Sequence, residues 1–203
     1  MIAPGPFLAP VATSASVVAL AEVGDKTMLL AILLASRLRK PWAVLAGILC
    51  ATIVNHGIAA FVGSTVSGLL DTRWFHIVVA LSFLAMAVWT LIPDRIGADE
   101  EAAVVTHHGA FLTSAIAFFL TEIGDKTQIA TIALAAHYHS VLRVALGTTL
   151  GMLIADGPAV FFGAAIMRRI SFRIARGIGA ALFAALGLWQ LWSALSGSGI
   201  HAR

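Results

Sequence analysis

Two stretches, Glu22-Val-Gly-Asp-Lys-Thr27 and Glu122-Ile-Gly-Asp-Lys-Thr127, each place two carboxylates, an ammonium and a hydroxyl inside an otherwise apolar run. On insertion scales a charge at the centre of a bilayer costs roughly 2.5–3.5 kcal/mol. A cost met twice implies a use. Glu22 and Asp25 are three residues apart, as are Glu122 and Asp125. In a regular helix that spacing puts both carboxylates on one face, with Cβ atoms about 5–6 Å apart. Such a pair offers the hard oxygen donors that Mg²⁺, Ca²⁺ and Mn²⁺ prefer. Thr27 and Thr127 add hydroxyl oxygens if the backbone leaves the helix, and Gly24 and Gly124 are where it could do so. Lys26 and Lys126 stand at i+4 from Glu22 and Glu122, within reach of a helical ion pair. Four carboxylates against two lysines leave a charge of −2. One divalent ion, or two protons, brings that to zero, which predicts a site exchanging a metal ion for protons.

Further candidates sit in the neighbouring apolar runs. Asp156 is an intramembrane carboxylate, a functional candidate by default for metal or proton handling. His56 is open between a proton relay and a packing residue; Asn55 lies beside it. Gln128 follows the second motif and could lend a carbonyl oxygen. Lys26 and Lys126 serve charge balance. No Cys or Met cluster appears, which disfavours soft ions, and no His pair near the motifs has zinc-ligand spacing. The one cysteine, Cys50, excludes an internal disulfide. His137 and His139 are expected to be solvated in an external loop. Gly147 and Gly151 read as a close-packing helix face.

The elements that must position these residues are transmembrane helices. Of 203 residues, 60% are hydrophobic and only 11% charged, with a mean hydropathy of +0.95. Soluble domains run nearer 45–50% apolar and about 25% charged. The net charge of +3 comes with no basic stripe of interleaved aromatics, so no nucleic acid is expected. Continuous apolar runs near 11–36, 41–66, 74–92, 110–136, 141–166 and 174–195 predict an all-α integral membrane protein with six spans. Tryptophans at 42, 74, 89, 189 and 192 fall near run ends, as interfacial anchors do.

Shifting the chain by 100 residues superposes the two motifs. It also pairs Gly47 with Gly147, Gly57 with Gly157, Gly63 with Gly163, Trp89 with Trp189 and His56 with Asp156. The chain is therefore read as a first three-helix repeat (1–92), an acidic cytoplasmic linker (93–109) and a second three-helix repeat (110–203). An odd number of spans inverts the second repeat relative to the first, as in many secondary transporters whose site lies at the repeat interface. The basic loops holding Arg37, Arg39 and Lys40, and Arg168, Arg169 and Arg173, are expected to be cytoplasmic, which leaves both termini outside. The linker, with His107 and His108, reads as a solvated connection.

With twin E-x-G-D-K/R-T/S motifs and six spans, the chain resembles the small Ca²⁺/Mn²⁺:H⁺ exchangers, which include Golgi calcium/manganese transporters and bacterial manganese exporters. The resemblance implies that Glu22, Asp25, Glu122 and Asp125 bind the ion and that Thr27 and Thr127 contribute. The short chain and the lack of an organellar leader favour manganese (or calcium) efflux across a bacterial inner membrane. The cation and protons are cargo, the bilayer is a further partner, and no cofactor or enzymatic step is expected, since neither a nucleophile–base pair nor an HExxH is present. Two other readings remain: export of a small cationic solute such as an amino acid, and a gated cation channel.

Overall fold

The computed structural model describes residues 8–69, 72–93, 109–169 and 171–196. The residues of the central linker with His107 and His108 lie outside that set. Among the described residues the protein is all helical, with eight α-helices. They are α1 (Leu8–Glu22), α2 (Lys26–Leu38), α3 (Pro41–Leu69), α4 (Arg73–Thr90), α5 (Ala110–Glu122), α6 (Lys126–Tyr138), α7 (Val141–Arg169) and α8 (Phe172–Ser196). Four of them, α3, α4, α7 and α8, are each long and apolar enough to cross a membrane, while α1 and α5 are shorter apolar helices. Their outer faces carry large exposed apolar side chains such as Phe61, Leu81, Ile154 and Leu188. That is what a helix surface facing hydrocarbon requires.

The first and fourth apolar runs are not continuous helices. Each is broken inside its motif, where Gly24 (φ +81°) and Gly124 (φ +75°) take the left-handed conformation. That region costs other residues roughly 1–2 kcal/mol. The expected helical face of Glu22 and Asp25 is thus replaced by a turn: Glu22 ends α1, and Asp25 is the N-cap residue of α2. The second half repeats this with Glu122 and Asp125. Even the far ends match, since α2 and α6 both stop at a left-handed C-cap residue, Arg39 and His139.

The halves interlock. α1 packs along α7, and α5 packs along α3. A Cβ on Gly147 would lie 2.6 Å from the Val11 carbonyl and 2.8 Å from Ser14 Cβ. A Cβ on Gly47 would lie 2.5 Å from the Phe111 carbonyl and 2.8 Å from Ser114 Cβ. Gly151 likewise meets the α1 backbone at Ala15, so the glycine pair on α7 is a close-packing face. Gly63 faces Ile132 and Gly163 faces Ile32 in the same reciprocal way. Phe83 and Phe183, one hundred residues apart, stack with ring centroids 6.5 Å apart where α4 meets α8. The contacts of Gly47/Gly147 and Gly63/Gly163 recur when the chain is shifted by one repeat, whereas Gly151 has Ala51 at its matching position.

Two departures from this symmetry matter. α8 packs on α1, whereas α4 packs on α6. And α7 carries Pro158, which removes one N–H from the helix ladder, and, four residues further on, a non-helical Phe162 (φ −127°, ψ 22°). α3 has Ile58 where α7 has Pro158. His137, expected to be solvated, is instead half-buried at the end of α6, with its ring 5.6 Å from that of Trp189. His139 is exposed, and its Nδ1 lies 3.1 Å from Ser67 Oγ.

Candidate metal centre

The two broken helices bring their motifs together between two apolar clusters. One is built around Phe83, Leu134 and Phe183, the other around Leu34, Ile48 and Phe118. Ending α1 at Glu22 and starting α2 at Asp25 turns both side chains inward, and both are buried, as are Glu122 and Asp125. Glu22, Asp25 and Asp125 each present a carboxylate oxygen within 4.8 Å of the others. Three acids so close, out of water, repel one another strongly unless a cation lies among them. Hard oxygen donors at this spacing fit a small divalent ion.

The hydroxyls take part as the broken backbone allows. Thr27 Oγ1 donates to Glu22 and lies 3.4 Å from Asp25 Oδ2. Thr127 Oγ1 lies 3.3 Å from Asp125 Oδ2. The lysines do not pair within their own motif as helical spacing suggested. Lys126 pairs with Asp25, and Lys26 Nζ lies 3.5 Å from Asp125 Oδ1. The turn swings each lysine out of line with its own glutamate and onto the opposite half. Lys126 is 1% exposed and Lys26 24%, so the first pair is the drier of the two.

Asn55 and His56, from the middle of α3, meet Glu122. Asn55 Nδ2 donates to Glu122 Oε2 at 3.0 Å and to the Phe119 carbonyl at 3.1 Å. His56 Nε2 is 2.7 Å from Glu122 Oε1, an ion-pair contact without the angle of a directed hydrogen bond. Asp156, on α7, is fully buried and within electrostatic reach of Glu22, Glu122 and Asp25. Gln128 serves the turn, because its Oε1 accepts the Gly124 N–H at 2.8 Å. Met28 Sδ receives the Gly24 N–H at 3.2 Å in the other half. The sequence pointed to every charged residue here. It did not place Asn55 in the site, although a lone carboxamide halfway along a 29-residue apolar helix was the available signal.

The two turns differ in cover. A Cβ on Gly24 would lie 2.8 Å from Phe172, at the start of α8, while one on Gly124 meets nothing within 4 Å. Gly124→Ala is therefore expected to cost only the left-handed backbone penalty, about 1–2 kcal/mol. Gly24→Ala should cost more, because it also displaces Phe172. Thermal melting of the two variants in detergent checks the order, and equal losses would mean that Phe172 gives way freely.

Comparison with known proteins adds an independent observation. A family model described as divalent cation/proton antiporter GDT1 matches the chain twice, at residues 10–98 and 110–198. The chain is 46% identical over 178 residues to a Vibrio cholerae protein named "Putative manganese exporter", covering 87% of this chain and 88% of that one. It is 31% identical over 206 residues to GDT1-like protein 3 of Oryza sativa subsp. indica, covering 90% and 73%. It is also 31% identical over 205 residues to GDT1-like protein 4 of Arabidopsis thaliana, covering 82% and 88%. No solved structure matches it.

Proposed function

The chain belongs to the GDT1 family of divalent cation/proton antiporters, and from that premise we propose that it exports Mn²⁺ in exchange for protons. Ca²⁺ is the second candidate for the same site. The observation that carries the reading is the buried trio Glu22, Asp25 and Asp125, assembled from both motifs. Glu122, Thr27 and Thr127 complete the motif set. Lys26 and Lys126 hold the empty site at −2, so that one divalent ion or two protons make it neutral. A neutral site can be carried through hydrocarbon, whereas a charged one cannot be carried cheaply. The cation and the protons are cargo in this reading.

The transport cycle follows from the architecture. Six membrane crossings form two inverted halves, with the first and fourth crossings discontinuous at the glycine turns. Discontinuous helices meeting at the midplane are how such transporters hold ions. Alternating access is a rocking of one half against the other, and the one-sided cover of the two turns is the kind of asymmetry that a single conformational state produces. Basic loops inside place both termini outside. The bacterial relative supports a plasma membrane, where an inward proton gradient drives metal out.

The test is proton flux in proteoliposomes driven by an Mn²⁺, Ca²⁺ or Mg²⁺ gradient. Mn²⁺ is expected to give the largest coupled signal. Metal conductance that persists without any proton movement would favour a channel, and flux driven by lysine rather than metal would favour a cationic-solute exporter.

A further inference from the structure

Glu22 and Glu122 are equivalent by sequence, yet their surroundings are not. Both oxygens of Glu122 are engaged, by Asn55 at 3.0 Å and by His56 at 2.7 Å. Asn55 is itself tied to the Phe119 carbonyl of α5, so this grip fixes the carboxylate to its own helix. In the other half the matching positions are Ala155 and Asp156. Alanine donates nothing, and an ionised aspartate only accepts. Oε1 has no hydrogen bond in either glutamate among the described residues, but Glu122 Oε1 has His56 beside it, whereas Glu22 has only Thr27 on its other oxygen and stands in the acid trio. Asp156 is 0% exposed, and neither of its oxygens has a hydrogen-bond partner among the described residues. It lies in electrostatic reach of Glu122, Glu22 and Asp25. A buried carboxylate without a donor is rare and costly. A cation among Glu22, Asp25 and Asp125 would offset the charge of Asp156.

We propose that the two halves of the site do different work: the ion is coordinated by Glu22, Asp25 and Asp125 with Asp156 as a fourth carboxylate ligand, while His56 and Asn55 are positioning residues that hold Glu122 outside the coordination shell. This rests on the antiporter reading of the same site. The arrangement also keeps the His56 ring nitrogen on Glu122 and off the ion, so the shell stays all oxygen. Oxygen shells suit Mn²⁺ and Ca²⁺, whereas an imidazole ligand would draw the site towards Zn²⁺ or Cu²⁺.

The experiment is equilibrium binding of Mn²⁺ alone to the purified full chain in detergent, followed by electron paramagnetic resonance. Glu22→Gln and Asp156→Asn are expected to raise Kd by about thirtyfold or more, the loss of one charge-assisted contact. Glu122→Gln should raise it clearly less than Glu22→Gln does, since the amide oxygen can still accept from Asn55. His56→Gln should retain binding but change the zero-field splitting of bound Mn²⁺, because Glu122 is then free to join the shell. A purely structural histidine would not move that spectrum. Equal loss in Glu22→Gln and Glu122→Gln, or full affinity in Asp156→Asn, overturns the division of roles while the antiporter reading stands. A wild-type chain that binds neither Mn²⁺ nor Ca²⁺ and couples neither to protons overturns both. Asp156→Glu serves as the second variant if Asp156→Asn does not elute as a single species; it keeps the charge and should retain most of the affinity.

Discussion

Asp125→Asn stops metal-driven proton movement, reducing the coupled flux in proteoliposomes by about a hundredfold or more. Two effects combine. The substitution removes one carboxylate from a trio whose oxygens lie within 4.8 Å of each other, and the loss of a charged contact costs roughly 1.5–3 kcal/mol. It also changes the electrostatics of the loaded site. The loaded site then carries one unit more positive charge than the wild-type site, which upsets the balance under which it crosses hydrocarbon. Asparagine keeps the shape, so the protein should still elute as a single species. Wild-type flux from such a preparation would remove Asp125 from the ligand set.

Breaking the dry ion pair across the halves carries the second large effect, on stability. Lys126 and Asp25 are 1% and 0% exposed at their side chains. Removing one member of a buried pair costs about 3–5 kcal/mol, because the other charge loses its compensation, whereas replacing both is often nearly neutral. Asp25→Asn and Lys126→Met should each lower the detergent melting temperature sharply, and the double variant should recover much of the loss. The double-mutant cycle isolates the coupling. Additive losses would mean that the pair contributes nothing. The other pair, Lys26 with Asp125, should show weaker coupling, since Lys26 is 24% exposed and screened by its surroundings.

The residue types of the site, its duplication and the helical class were legible in the sequence because each leaves a local signature. A charge in an apolar run is visible wherever it occurs, and the matched glycines Gly47/Gly147 and Gly63/Gly163 announced a repeat. Pairing was not legible. Lys26 and Glu22 have helical spacing, and only the left-handed turn at Gly24 shows that Lys26 points to the other half. The glycine marked the place where a break could occur, yet a glycine is equally at home at a close crossing, as Gly147 and Gly151 are. Nor could the sequence show that Asn55 and His56 attend Glu122, because the contact joins residues 67 apart along the chain. The histidines at the end of α6 show the same limit, since nothing local reveals that His137 packs on Trp189.

His56 and Asp156 occupy one position in the two halves, and their difference has an evolutionary consequence. A half-length ancestor working as a homodimer would have had to place the same side chain on both sides of its ion. Two histidines would have brought nitrogen to both glutamates, and two aspartates would have left two uncompensated acids facing each other. Fusion of duplicated copies into one chain lifts that constraint, since each half can then drift alone. The single polypeptide is thus what lets one position differ within a scaffold whose two halves otherwise repeat, down to the stacked rings of Phe83 and Phe183.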